Sequence, residues 1–490
     1  MKILAVYDDT VGKSELIDDI IGNKGYSDVI VKRKRIEEYY RETLCEIFVE
    51  WEWVVVRSVY EFNDLVSRLD STAYENYRVC HCFSNFFFTD RDTAGLSLKK
   101  IQFIKETYKV MCQDEIALLM FENTEKYHQY LNEVCRMGNS LKPAREIRKE
   151  FSVKGLLNIG HLQNFIQIIS GNFDSRYFNS LKGDRFTLTK SSANKTKIKS
   201  EYTYYQLLPE SMKRWMVMPF DYRENEKEAS YSMERLHMTD LSIKWVHGSI
   251  DKEEFGSLMD KYFYFIKSRS QKAVSAEEYR HISEELYRNK LTARIEQLKK
   301  SEIYGKIESL LTASYGYTAE EIVRRYFRLK EQIEKRQHYP LVSVIGHGDP
   351  CFANTMYNKA TQTLKFIDPK GALKEEELWT NPYYDLAKIS HSVCGRYDFF
   401  NNALFEIKID EEFRCRLYID FDNRLYKQLF REKLEANGYD YLTVRIYEAS
   451  LFLSMLPLHI DYPHKVFGFV LNAIEILDEI ERELNQGGKV

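Results

Sequence analysis

Short apolar runs recur along the first third of this chain, in KILAVY, SDVIVK, WEWVVVR, YRVCHCF and EIALLMF. Between them lie stretches with helical spacing of their apolar residues, such as GKSELIDDIIG and SLKKIQFIKETYKVM. Strands interleaved with helices in this rhythm predict an α/β domain over residues 1–138. The polar segment CRMGNSLKPAREIRKE, which holds Pro143, predicts a linker to a second unit.

From residue 151 to 236 the pattern changes. LQNFIQIIS, SRYFNSL, DRFTLTK, RWMVMPFDY and ASYSMERL read as antiparallel strands joined through Gly, Asn and Asp turns, with one helix at IKSEYTYYQLL. A small sheet with an inserted helix is expected over 139–240. Residues 241–490 read as mainly helical, broken by the strand-like LVSVIG and TLKFID.

Composition narrows the class. The 490 residues are 44% hydrophobic, with 35 Tyr and 29 Phe, which predicts folded globular units rather than disorder. A formal charge of −3 supplies no global field for nucleic acid or an anionic membrane. Eight scattered cysteines without a CxxC pair fit reduced thiols in a cytoplasm. The richest apolar stretch, EASLFLSMLPLHI, is too short to cross a bilayer, and the N-terminus reads as a first strand rather than a signal peptide.

The segment IGHGDPCFANTMY, residues 345–357, carries the chemistry, followed by LKFIDPKG at 364–371. His347, Asp349 and Asn354 form H-x-D-x-x-x-x-N, and Asp368 adds a second carboxylate. Phosphoryl transfer needs a carboxylate to orient and deprotonate the attacking hydroxyl, and oxygen ligands for Mg²⁺ bridging the nucleotide phosphates. One Asp and one Asn suffice for such a hard cation, because phosphate oxygens and water complete its shell. A hairpin with its loop near Asn358 to Thr363 would bring Asp368 beside the first loop. Asp and Asn are also ordinary turn formers, which is the structural alternative.

HGDPCFAN and FIDPKG resemble the Brenner-type motif and the DFG-equivalent of the aminoglycoside phosphotransferase and choline kinase superfamily. The resemblance implies a bilobal α+β kinase-like fold, with Asp349 as catalytic base and Asn354 and Asp368 as metal ligands. It extends to NPYYDLAKISHSVCGRYD at 381–398, where Asp385 takes the place of the aspartate that braces the catalytic loop, with His347 in the same support. The wording of this block is similar to phosphotransferases of bacterial surface-polysaccharide gene sets. ATP or GTP is the implied donor, and a sugar, sugar alcohol or amino alcohol the implied acceptor.

A kinase also requires a strand lysine for the phosphates and a helix glutamate to fix it. Strand DRFTLTK ends in Lys190 and helix IKSEYTYYQLL carries Glu201, with Lys195, Lys197 and Lys199 as rivals for the first role. Met233, Glu234 and Leu236 fall where the resemblance puts the hinge whose backbone meets the purine. The glycine-rich cover loop of protein kinases is missing, since only Gly171 stands in that region.

Weaker signals remain. GKS at 12–14 lacks the first P-loop glycine, because position 7 is Tyr7, and reads as helix-opening sequence. Asp8 and Asp9 are adjacent and form no DxD pair. Lys370 reads equally as a phosphate or anion contact and as a solvated turn lysine. His459 and Asp461, between Pro457 and Pro463, read as a polar kink or as part of an acceptor pocket. A pseudokinase scaffold and a bifunctional kinase and nucleotidyltransferase are the alternative functions. The missing glycine-rich start argues against an active nucleotidyltransferase and leaves a degenerate or structural N-terminal domain.

Overall fold

The structure, a computed structural model, describes residues 2–70, 72–170, 179–183, 186–337 and 339–486. The chain divides into two compact units, Met1–Phe173 and Asp174–Val490. Among the described residues no helix is long and apolar enough to cross a membrane.

In the first unit the strands Trp51–Val56, Lys2–Asp8 and Tyr77–Phe83 lie side by side and parallel. Glu115–Phe121, Tyr108–Cys112 and Glu150–Ser152 extend them into a six-stranded mixed sheet. Lys2–Asp8 is buried on both faces beyond its first residue, so its apolar run is continuous rather than alternating. The Val59–Leu69 helix turns Phe62, Leu65 and Leu69 inward at spacings of three and four residues.

Four expectations change here. YKVM belongs to a strand, Tyr108–Cys112, not a helix, because its hairpin with Glu115–Phe121 offers it a full ladder. SDVIVK yields only Ile30–Val31, paired with Lys34–Arg35 in a tight hairpin outside the main sheet. The expected linker is structured: helix Thr124–Met137 runs to a left-handed Gly138, Leu141–Arg145 is helical, and Glu150–Ser152 joins the sheet. LQNFIQIIS forms the helix Leu162–Ser170, whose buried Phe165, Ile166 and Ile169 recur at helical spacing. The first compact unit thus reaches past residue 138.

The second unit begins with a four-stranded antiparallel sheet in the order Asn179–Gly183, Thr187–Ser192, Ala229–Glu234, Pro219–Glu224. The Gly171 region, where a glycine-rich cover loop would stand, lies outside the described residues. Helix Lys195–Leu207 packs Ile198 against Ala229 and Tyr231 of this sheet. The remaining chain is mostly helical, with one extended apolar core. At its centre the Tyr441–Met455 helix is buried almost all round, which explains the apolar-rich run EASLFLSML. The long Ala319–Arg336 helix begins with a reciprocal capping box between Thr318 and Glu321.

Candidate active site

The strand Val342–Ile345 pairs with Gln271–Ala273 and Trp379–Thr380 and delivers the chain to Gly346. There the backbone folds over a buried carboxylate. The His347 and Gly348 amides donate to Asp385 Oδ2 and Oδ1 at 3.0 and 2.8 Å. Arg269 Nη1 donates to the same carboxylate at 3.1 Å, so the buried charge is paired. Gly348 has φ of 85°, and a Cβ there would stand 2.5 Å from Lys370 Cβ, so only glycine fits.

His347 Nδ1 accepts the Asp349 amide at 3.2 Å. Burial holds the imidazole pKa below its ordinary value, so the ring is neutral with its proton on Nε2. Asn354 Nδ2 donates to the Asp349 carbonyl at 3.0 Å, which ties the two ends of the loop together.

Thr355–Asn358 and Thr363–Phe366 form the hairpin, with Thr355 opposite Phe366. Its loop falls near Asn358 to Thr363, where the sequence places it. The Ile367 amide donates to the Asn354 carbonyl at 3.0 Å, which sets Asp368 next to Asn354. Asp368 adopts φ of 53°, a left-handed conformation that Asp and Asn tolerate better than most residues.

Asp368 Oδ1 accepts from Lys190 Nζ at 2.8 Å, and Glu201 Oε2 lies 2.8 Å from the same nitrogen. Tyr231 OH donates to Glu201 Oε2 at 3.1 Å. Burial works against the Lys190 charge, but Asp368 and Glu201 outweigh it and raise the ammonium pKa. The Lys190 and Glu201 side chains are 3% exposed, whereas Asp368 is 40% exposed. Lys190 sits within Thr187–Ser192 rather than at the strand's end. Among its rivals, Lys195 pairs with Glu224 at 3.7 Å, Lys197 reaches the outer oxygen of Glu201 at 3.7 Å, and Lys199 is exposed.

Glu201, Tyr204, Tyr231, Met233, Phe366 and Asp368 line one cleft. Met233 is therefore on its wall. Glu234 is exposed and pairs across the sheet with Thr187, and Leu236 is half-buried in the segment that follows.

Sequence reasoning missed Lys388, whose Nζ lies 3.0 Å from Asp349 Oδ1 and whose side chain is 13% exposed. Burial opposes its charge, and Asp349 outweighs that and lifts its pKa. A signal existed: Lys388 follows Asp385 by three positions, one turn on in the Tyr384–Val393 helix. Arg269 was missed too and left no signal, because its partner is remote in sequence. Lys370 keeps an exposed stem, while its ammonium turns inward to the Leu378 carbonyl at 3.3 Å. Burial lowers its pKa despite Asp385 and Glu377. His459 lies against Phe469, with ring centroids 5.4 Å apart, while Asp461 stands on the exposed turn before Pro463.

The donor set suits a hard cation. Asp368 and Asn354 each carry a side-chain oxygen donor on segments joined by the Ile367–Asn354 backbone bond, and Asp368 already faces a cation, the Lys190 ammonium. Among the described residues no group of three or more His, Cys, Asp or Glu forms a metal cage. A metal bound here would thus depend on ligand oxygens as well as the protein.

No protein-family model matches this chain, and no curated protein matches it. Solved structures that resemble it include the apo form of a thermostable mutant of aminoglycoside phosphotransferase APH(4)-Ia, at 11% identity and TM-score 0.33, over 65% of this chain and 99% of that one. The GDP complex of wild-type aminoglycoside 2'-phosphotransferase-IIIa matches at 14% identity and TM-score 0.37, over 65% and 98%. With likeness this slight, the reading of the site rests on its own geometry.

Proposed function

We propose that this chain is a metal-dependent small-molecule kinase with a kinase-like second unit. The observation that carries the reading is the ionic chain Glu201, Lys190, Asp368, which ends at the half-exposed Asp368 beside the loop of Asp349. ATP or GTP occupies the cleft, with its base near Met233 and its phosphates on Lys190. Asn354 and Asp368 hold Mg²⁺, which supplies charge neutralisation across the phosphates when bound. Asp349 orients the acceptor hydroxyl. The hydroxyl oxygen bonds the γ-phosphorus as the bridge to the β-phosphate breaks, its proton passes to Asp349, and nucleoside diphosphate leaves. Asp385 and His347 fix the loop, so the carboxylate is aimed before substrate arrives. A sugar, sugar alcohol or amino alcohol is the acceptor class, in surface-polysaccharide synthesis, a setting supported only by the motif resemblance.

Asp349→Asn tests this. A base acts in the transition state, so kcat and kcat/KM should fall together by about 10² to 10⁴-fold with nucleotide affinity retained. A turn-forming aspartate would tolerate Asn almost silently. Steady-state turnover with calorimetric nucleotide titration decides, and a fall below about tenfold removes Asp349 as base.

A further inference from the structure

Asp385, Lys388 and Ser392 follow one another along the Tyr384–Val393 helix at spacings of three and four residues, which puts them in one stripe on one face. Each meets a successive part of the loop that carries Asp349. Asp385 accepts the amides of His347 and Gly348 at 3.0 and 2.8 Å, Lys388 Nζ lies 3.0 Å from Asp349 Oδ1, and Ser392 Oγ accepts the Phe352 amide at 3.0 Å. The helix is a template on which the loop is laid out from residue 347 to 352.

The three contacts differ in what they hold. Asp385 and Ser392, both fully buried, bind main-chain amides and so set the path of the backbone. Around Asp349 that path is fixed without Lys388, since the Asp349 amide donates to His347 Nδ1 at 3.2 Å and its carbonyl accepts from Asn354 Nδ2 at 3.0 Å. A fixed backbone still leaves the side-chain torsion to be chosen among staggered wells, and Lys388 acts on that side chain. Burial points the same way. The Lys388 side chain is 13% exposed and that of Asp349 38% exposed. Water can solvate such a carboxylate, so pairing it adds little to the fold, whereas hiding an ammonium and freezing its long stem both cost free energy. The gain is in aim rather than in stability.

We propose that Lys388 is the positioning residue of the base: by holding Oδ1 of Asp349 it fixes the carboxylate in the orientation that receives the acceptor hydroxyl. The proposal rests on the kinase reading and deepens it. In the transfer step the hydroxyl proton goes to Asp349 and the phosphoryl group to the hydroxyl oxygen, while the Lys388 ammonium keeps its protons and makes no covalent bond. A carboxylate left to turn meets the hydroxyl misaimed in most encounters, and a displacement of about 1 Å is enough to slow a reaction about 10²-fold.

The test uses the full chain with Mg²⁺ and ATP or GTP. Glucose, ribitol and ethanolamine serve as acceptors, read by mass spectrometry, and water serves as a fourth, read as released inorganic phosphate. Lys388→Met, which keeps length and volume but not charge, should lower kcat about 10- to 100-fold while nucleotide affinity and acceptor KM stay within about threefold of wild type. Lys388→Arg returns a cation to the carboxylate and should recover most of the rate. Because Lys388 acts through Asp349, adding Lys388→Met to Asp349→Asn should cost less than about threefold more. A folded Lys388→Met with the kcat of wild type overturns the proposal, as do losses that multiply in the double variant or a loss confined to nucleotide affinity. Each of those leaves the kinase reading standing. If melts show that neither Lys388→Met nor Lys388→Gln folds, Lys388 holds the fold rather than the base and the proposal falls. If wild type transfers to no acceptor, water included, the kinase reading fails and takes this role with it.

Discussion

Each unit holds a buried ionic group near a strand of its sheet, and the two are built differently. In the first, Asp8 ends the Lys2–Asp8 strand; its Oδ1 accepts from the Thr10 amide and hydroxyl at 2.9 and 2.6 Å, and its Oδ2 lies 3.2 Å from His81 Nε2. His81 Nδ1 is 3.0 Å from Tyr127 OH, and both members of the Asp8–His81 pair are 0% exposed. In the second, Glu201 and Lys190 are equally hidden, but the chain ends on Asp368 at 40% exposure. A network closed on protein groups holds a fold together. One with an exposed end can exchange a partner for a ligand. The nearby GKS string is also consumed locally: Ser14 precedes the Glu15–Ile21 helix, and Lys13 Nζ donates to the Gly22 carbonyl at 2.9 Å and pairs with Asp18 at 2.8 Å.

The sharpest way to break the comparison is Lys190→Met. A lysine at the end of a strand, where the sequence places Lys190, is expected to be removable without harm to the fold. The structure corrects this, because its loss strands the buried Glu201 carboxylate, a defect costing about 3–5 kcal/mol. Adding Glu201→Gln should recover much of that stability in denaturant melts while turnover stays low. Recovery of turnover together with stability would make the pair merely structural.

Asp368→Asn comes next, with turnover expected to drop about 10² to 10³-fold and metal-dependent nucleotide binding to weaken in calorimetry. Asn is preferred to Ala here because it tolerates the φ of 53°. The melting temperature should move little, since the replaced side chain is at the open end. Unchanged metal-dependent affinity would take Asp368 out of the site.

How much of this was legible depended on the distance over which each feature is encoded. The strands KILAVY, WEWVVVR and YRVCHCF and the helix around Glu201 announce themselves by period, and His347, Asp349, Asn354 and Asp368 lie within a single short stretch. The pairing of Lys190 with Glu201 was reachable because a strand and the next helix bring them together. LQNFIQIIS misled because a short apolar run fits either period. Lys388 was visible only once Asp385 was placed on a helix. Arg269 carries no local mark at all, since chain segments remote in sequence decide what surrounds it.

Asp8→Asn probes the closed network. Burial works against the Asp8 charge, but hydrogen bonds from His81, Ser140 and Thr10 outweigh it and hold the folded pKa below the ordinary value. A depressed folded pKa gives stability that is complete above the unfolded pKa, about 3.9, and is lost as pH falls through the folded one. Wild type should therefore exceed Asp8→Asn by about 1–3 kcal/mol at neutral pH, with the gap closing below about pH 4. Turnover should not change. A pH-independent gap would mean that shape rather than charge is what Asp8 contributes.

The smallest effect comes from two matched substitutions. Tyr231→Phe removes the hydroxyl that donates to Glu201 but keeps the ring packed on Ile198 and Ala229. Tyr127→Phe removes the hydroxyl beside His81. Burial raises both phenol pKa values well above ordinary, so each hydroxyl keeps its proton across the working pH range. Each change should then cost about 0.5–1.5 kcal/mol of stability, the worth of one hydrogen bond. Their effects on catalysis should part company. Glu201 positions Lys190, and a looser carboxylate lets the ammonium shift, so Tyr231→Phe should raise the nucleotide KM by a factor of about two to ten, as for any lost hydrogen bond to a charged group. Tyr127→Phe should leave KM and kcat as they are. Denaturant melts and steady-state kinetics on the two proteins check this, and an equal kinetic effect from both would erase the distinction between a closed network and an open one.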